Sequence, residues 1–468
     1  MNNTFSVIPR ISLFRKSYNS NNFWGRLLTK QFWAYLVISL CGLLAYFPVF
    51  QNKFQDKWDD QWVVINDYTH RGFTIDNIWS ILTEYYHGQY APANQLYYTI
   101  LHSLAGYDPR AFHAASLLIH LLNSCLVYLL LTKLLPLIFK SDQHNDQTCK
   151  IALLSSIIFV IHPINAEAVA WVAASKILIY SFFYLLALNM YVNYLRQPRS
   201  INYVCILALF TLSFAGKEQA VTFPVCMLLI SYFAGNKIFD KNFWLDKIPF
   251  FVLSLFFGWV TIESQAAVGT GLLSASEQYP FHQRLAFASY SVIEYATKCL
   301  LPIKLSYIYH FPNLVGEALP VRFYFYPIAL LPLIVFGWEA CKKPIVLFGV
   351  LFFLIHISLT IHIIPISRFA ITADRYAYIS SISGCLCISL SYVFLQNRFS
   401  GHLFLINIVT LILLGVLFGY TNVRARVWKD TVTLKKEVKR ILESRKHEPK
   451  FYIYALNSEF NLINCQFW

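Results

Sequence analysis

Four short stretches of the chain hold residue types that can do group-transfer chemistry. WDDQWVVIND carries the adjacent carboxylates Asp59 and Asp60. HPINAEAVAW supplies His162 and Glu167, with Lys176 a few residues on. GKEQAVTFP supplies Lys217 and Glu218, and SRFAITADRYAY supplies Arg368, Asp374 and Arg375. A carboxylate can take the proton from a hydroxyl as that hydroxyl attacks the anomeric carbon of a sugar. If the leaving group is a lipid-linked phosphate, its growing charge needs Arg or Lys nearby. One base with in-line displacement inverts the anomeric centre, unlike the paired-carboxylate double displacement of retaining hydrolases. Adjacent residues point in different directions on most backbones, so only one of Asp59 and Asp60 is expected to face the reacting atoms. The other is left as a partner for a cation or as a metal ligand.

The elements that must position these groups are membrane helices. Of 468 residues, 57% are apolar, 17% aromatic and only 13% charged, about half the charged fraction of a soluble domain. A spanning helix needs about 20 apolar residues, and such runs recur at 31–50, 111–139, 151–173, 177–195, 344–366, 376–395 and 403–420. Shorter runs lie at 201–216, 220–235, 248–262 and 323–338. The expected architecture is an all-α polytopic bundle forming one membrane domain over 31–420. A cytoplasmic segment, 1–30, precedes it, and a basic helical tail, 421–468, follows. The net charge of +14 lies largely in short loops and the tail, so no nucleic-acid partner is expected. Most cysteines, Cys385 and Cys387 among them, lie inside apolar runs as small hydrophobes. The first apolar run is too long for a cleavable signal.

Lys and Arg mark the cytoplasmic side. Arg10, Arg15, Lys16, Arg26 and Lys30 hold the N-terminus inside, and run 31–50 then carries the chain out. The segment 51–110 becomes an external loop with surface helices. Alternation from there leaves Lys133, Lys140, Lys150, Arg196, Arg199, Lys237, Lys241 and Lys247 inside. Run 285–303 decides the parity of the second half, because Arg284 opens it and Glu294 and Lys298 lie within it. With that run on the outer surface, about 11 helices cross and every motif above shares the external side. Charges at such positions usually face a cavity or partner; the competing reading is that they snorkel or pair among themselves.

WDD after the first helix, FHAASLLIHLLNSCLVYLLL, FVIHPINAEAVAWVAASK, GKEQAVTFPVCMLL, LPIKLSYIYHFP and ADRYAYISSIS follow one another along the chain. From about Lys30 to Leu434 this series resembles the bacterial membrane proteins related to the transmembrane-and-TPR protein O-mannosyltransferases, of the GT-C superfamily. The resemblance implies a GT-C-like fold and a polyprenyl-phosphate sugar donor, with transfer to a hydroxyl acceptor at the non-cytoplasmic face of a bacterial inner membrane. It matches Asp59 to the base of the first-loop motif and Asp60 to its second acidic residue. Arg375, Lys217, Lys176 and Arg368 are the expected donor-phosphate ligands, Arg375 foremost for its bidentate fork. Asp374 is expected to orient Arg375 or to be its structural ion partner, and His162, Glu167 and Glu218 are supporting residues.

Two features depart from that family. It usually shows Tyr-Arg-Pro where this chain reads Tyr90-Ala91-Pro92, and its TPR array is expected to be missing after Val427–Leu434, since one repeat alone needs about 34 residues. A lipid or surface-glycan acceptor is therefore the alternative to a protein acceptor, and a non-catalytic lipid-phosphate-binding protein is the rival from another class. No cofactor is expected, although two carboxylates leave a divalent cation open. The candidate histidines (His162, His120, His310, His356 and His362) lack the i, i+4 pairing with an acid that a zinc enzyme would show. Those on apolar runs read as hydrogen-bonded core residues.

Overall fold

The computed structural model describes residues 20–56, 58–140, 146–267, 279–307, 309–364 and 370–444. Arg368, the terminal segments and the side chains of 20–30 lie outside the described residues. The described residues are mainly helical. The first helix, α1 (Ser20–Ala45), leads into the loop with four short helices: α2 (Asp60–Val63), α3 (Asp67–Arg71), α4 (Ile75–Thr83) and α5 (Pro92–Ala105). Local signals set these breaks. Asn66 caps α3 by accepting from the Thr69 N–H, and Thr74 caps α4 by accepting from the Asn77 N–H. Gly72 at φ 67° and Gly106 at φ 58° end α3 and α5 in backbone that side chains disfavour.

The centre of the bundle is built from α6 (Pro109–Phe139), α7 (Asp146–Val160), α8 (Ala166–Ala170) and α9 (Ser175–Arg196). Asp108 caps α6 ahead of Pro109 and also pairs with Arg110 at 3.1 Å. Beyond them come α10 (Ser200–Gly216), α11 (Phe223–Phe233), α12 (Lys241–Leu245) and α13 (Ile248–Ala266). The remaining helices are α14 (Phe281–Leu300), α15 (Phe325–Cys341), α16 (Pro344–Ile357), α17 (Ser381–Arg398), α18 (Leu403–Val427) and α19 (Thr431–Ser444). One two-stranded sheet joins β1 (Tyr309–His310) antiparallel to β2 (Ala370–Thr372), with Tyr309 opposite Thr372.

Among the described residues, five helices are long and apolar enough to cross a membrane: Pro109–Phe139, Val172–Arg196, Phe243–Ala266, Val321–Cys341 and Ser400–Val427. The pair Asp146–Val160 and Pro163–Ala170, bent by 46°, makes a sixth when taken as one span. Shorter apolar helices lie at Gln31–Ala45, Ser200–Gly216, Glu218–Phe233 and Pro344–Thr360. Helix α15 buries no residue within the chain, and Leu331, Phe336, Leu411 and Ile412 on α15 and α18 stand exposed. Apolar surface of that extent has lipid as its complement.

Polar contacts inside the bundle fix the ends of its helices. On α6, the His120 ring bonds the Tyr378 hydroxyl at 2.7 Å and the Val160 carbonyl at 3.1 Å. One turn on, the Asn123 amide donates to the Leu178 carbonyl at 3.0 Å and to the Tyr378 hydroxyl at 3.3 Å. One face of α6 thereby ties α7, α9 and the turn before α17 together. Gly384 on α17 meets the end of α14 so closely that a Cβ there would lie 2.5 Å from the Cys299 carbonyl oxygen.

The loop after α1 and the loop after α18 also meet. Asn52 donates to the Ala425 carbonyl, Gln55 to that of Trp428, and Thr431 to that of Asp56. These bonds, at 2.8–3.1 Å, span more than 370 residues of sequence.

Candidate active site

Asp59 and Asp60 sit at the start of α2 and have different environments. Asp60 is buried, and both its oxygens are engaged: Oδ2 accepts from the Gln55 N–H at 2.8 Å and Oδ1 from the Ala173 N–H at 2.9 Å. It thereby pins the first loop to the turn Val172–Ala174 just before α9. Burial raises its pKa to about 7 against the opposing pull of those two N–H groups. Asp59 remains partly exposed. Burial raises its pKa as well, while the nearby Lys176 and Arg375 charges and a hydrogen bond from Trp62 pull it back.

Arg375 lies in the turn Asp374–Ala377, directly after β2. Glu167, in the first turn of α8, holds it twice: one oxygen pairs with the guanidinium and the other accepts the Arg375 N–H at 2.9 Å. The short turn before α8 is itself capped, because His162 Nδ1 accepts from the Ile164 N–H. Glu167 is 1% exposed and the Arg375 side chain 16%, and Arg375 Nη2 also donates to the Tyr376 hydroxyl at 3.4 Å. The guanidinium lies over the rings of Tyr376, Trp171 and Tyr307 at 4.8, 5.4 and 5.9 Å.

Those rings belong to an aromatic cluster. Trp171 stacks on Trp428 at 5.2 Å, Tyr307 meets both edge-on, and Trp58 lies against Tyr307 at 5.2 Å. Five separate loops thus supply one site, and the segment after α18 closes it with Trp428.

The other expected residues fall around this centre. Lys176, at the start of α9, donates to Gln89 Oε1 at 2.9 Å and adds positive charge beside Asp59. Lys217 is buried, pairs with Glu218 at 3.0 Å, and lies 5.5 Å from the centroid of the Tyr376 ring. Asp374 faces the other way, accepting from the Tyr309 hydroxyl at 2.7 Å with Lys298 Nζ at 3.8 Å. Lys298 also pairs with Glu294 at 2.9 Å. Glu167, then, and not Asp374, makes the contacts that orient Arg375. Among the described residues no group of three or more His, Cys, Asp or Glu could hold a metal ion.

The aromatic cluster and the Lys298–Glu294 pair were not among the site residues read from sequence. A signal for the rings existed. Trp58 adjoins Asp59, Trp171 ends EAVAW, Tyr307 lies in LSYIYHFP, Tyr376 follows Arg375, and Trp428 lies in VWKD. Each motif with a charge carries a ring beside it or a few residues away.

The described residues thus form an α-helical fold with apolar, lipid-type helix surfaces, in which a partly exposed carboxylate, Asp59, and a guanidinium held by Glu167, Arg375, meet around one aromatic cluster. Known proteins narrow what that fold serves. No family model matches the chain. It is similar to Protein O-mannosyl-transferase TMTC1 of Homo sapiens, 26% identical over 214 residues, 42% of this chain and 23% of that protein. Protein O-mannosyl-transferase TMTC4 of Mus musculus is 23% identical over 214 residues, 41% of this chain and 28% of its own length. A protein O-mannosyl-transferase of Caenorhabditis elegans is 25% identical over 372 residues, 76% of this chain and 49% of that protein. The chain spans about a quarter of the length of those mammalian relatives and about half of the nematode one. These low-identity relatives support a membrane glycosyltransferase.

Proposed function

We propose that this chain is an inverting GT-C-type glycosyltransferase that moves a sugar, mannose by its relatives' names, from a polyprenyl-phosphate donor to a protein hydroxyl. The observation that carries the reading is the meeting of the first loop and Arg375 on one ring: Trp58, next to Asp59, packs against Tyr307, and the Arg375 guanidinium, held by Glu167, lies over the same ring. Asp59 accepts the acceptor's proton as the acceptor oxygen bonds to the anomeric carbon. The bond from that carbon to the phosphate oxygen breaks, and its electron pair leaves with the polyprenyl phosphate. The Arg375 guanidinium, fixed by Glu167, receives that charge, and Lys176 shares it. Asp60 is an anchor that holds the loop on which Asp59 stands.

The reading puts the site on the non-cytoplasmic face and gives the chain eleven crossings. Its support is the meeting of the loops after α1 and after α18, which requires an even number of crossings between them. Helix α14 is then the one that lies along the outer surface. The test is purified protein in lipid, supplied with a radiolabelled polyprenyl-phosphate mannose and a serine- or threonine-containing peptide. Label transferred to the peptide by the native chain and lost in Asp59→Asn supports the reading. Equal transfer by both overturns it.

A further inference from the structure

Helix α14 meets the segment that ends in Arg375 through one face, almost residue by residue. Ser291, Tyr295 and Lys298 follow one another at i, i+4 and i+7, a spacing that lines them up along one side of a helix. The Ser291 hydroxyl faces the Ile371 carbonyl at 3.4 Å, and the Tyr295 hydroxyl accepts from the Ala373 N–H at 3.1 Å. Lys298 Nζ stands 3.8 Å from Asp374 Oδ1. Successive turns of the helix thus take successive parts of β2 and of the turn that follows it. All three side chains are buried.

Lys298 is the most firmly set of the three. Tyr309 on β1 donates from its hydroxyl to Asp374 Oδ1 at 2.7 Å, and the same hydroxyl accepts from the Ser306 N–H at 2.6 Å. Lys298 Nζ lies 3.3 Å from the centroid of the Tyr309 ring and pairs with Glu294, one turn back, at 2.9 Å. A lysine that merely snorkelled would carry its ammonium out to water. Lys298 turns its ammonium inwards, onto the residue next to Arg375. Breaking such a buried pair leaves the other charge uncompensated. Arg375 itself is held from elsewhere, by Glu167 at both its N–H and its guanidinium. The turn Asp374–Ala377 is therefore gripped twice, by α8 through Arg375 and by α14 through Asp374.

Resting on the glycosyl-transfer reading above, in which Arg375 receives the phosphate charge, we infer that Lys298 and Tyr295 are positioning residues for the donor-phosphate site. Neither touches the donor. They act through the backbone of Ala373 and Asp374, which sets where the Arg375 side chain departs and so where its fork points. A phosphate gripped by a planar fork depends on direction as well as on charge, and a misplacement of about 1 Å in a positioning group can cost about a hundredfold in rate. Glu167 fixes the guanidinium, and α14 fixes the main chain that carries it. The charged pair Glu294–Lys298, set within an otherwise apolar run, then has a task at this site.

The experiment uses the full chain in lipid. Three readouts are taken: the Kd of a radiolabelled polyprenyl-phosphate mannose, the rate at which phenylglyoxal modifies Arg375, followed by mass spectrometry, and the apparent Tm. Lys298→Met removes the ammonium and keeps the bulk. Tyr295→Phe removes a single oxygen and carries the test if Lys298→Met does not fold. Donor binding is measured for each change alone and combined with Arg375→Lys. Lys298→Met should weaken it about tenfold or more by itself, and less than about twofold beside Arg375→Lys, where no fork is left to align. Tyr295→Phe should act in the same direction by a smaller factor, and each change alone should speed the modification of Arg375. Native Kd in both variants, or equal weakening in the two backgrounds, would overturn the inference whatever happens to Tm, because a residue that only supports the fold gives those results. If the native chain binds no donor, the transferase reading fails by itself. Faster modification of Arg375 in the variants would then still uphold the alignment, and an unchanged rate would overturn it.

Discussion

Asp60→Asn separates the anchor from the base, and its effect can be worked from the contacts. Asparagine keeps one acceptor oxygen, so either the Gln55 or the Ala173 N–H loses its partner. A buried donor left unsatisfied costs about 1–3 kcal/mol. Against this, burial raises Asp60 to about 7 from its ordinary 3.8, and holding it ionised above that pH costs on the order of 4 kcal/mol at about 1.4 kcal/mol per unit. Asparagine does not carry that cost.

The sign follows from proton binding. Between 3.8 and about 7 the folded protein holds a proton that the unfolded chain has released, so native stability falls as pH rises through this window. The variant has no such loss. The destabilisation by Asp60→Asn should therefore shrink by roughly 3 kcal/mol between about pH 5 and about pH 8. Thermal unfolding of both proteins in detergent, followed by tryptophan fluorescence at the two pH values, measures it. The gap in apparent Tm should be wide at the acid value and narrow at the alkaline one. A gap that stays constant or widens with pH would refute the claim that burial outweighs the pull of the two N–H groups at Asp60.

The remaining predictions concern the site and the topology. Burial raises Asp59, so the acid limb of the kcat/KM profile should lie above the ordinary aspartate value of about 3.9; a limb at or below that value contradicts its role as base. Arg375→Lys keeps the charge but loses the fork and its fit to Glu167. Donor Kd, measured by titration of a labelled polyprenyl phosphate, should weaken about tenfold or more; an unchanged Kd removes Arg375 from the phosphate site. Val432 on α19 is exposed. In a cysteine-free background, Val432→Cys should react with a membrane-impermeant thiol reagent in intact cells, and reaction only after lysis would count against eleven crossings.

The helical membrane class was legible because burial in lipid demands long apolar runs, which composition and spacing display directly. The charged positions were legible too, since Asp59, Glu167, Lys176, Lys217 and Arg375 stand out against such runs. Which carboxylate does what was not. The different environments of Asp59 and Asp60 are set by the N–H groups of Gln55 and Ala173, which hold Asp60 alone, and Ala173 lies 113 residues away. Asp374 adjoins Arg375 in sequence, yet the turn sends it to Tyr309 and Lys298, while Glu167 reaches Arg375 from 208 residues away. Contacts of that separation leave no local pattern. Trp428 is the extreme case, because a ring beyond the last long apolar run closes a cluster around a site that begins after the first.

Single-turnover transfer by Asp59→Asn, with donor binding measured on the same preparation, tests the central assignment most directly. Losing a base that acts only in the transition state should lower the rate at least about a hundredfold and leave donor Kd near the native value. Transfer at the native rate with intact donor binding would show that Asp59 is not the base. Loss of rate and donor binding together would show that Asp59 serves the donor site and not the proton.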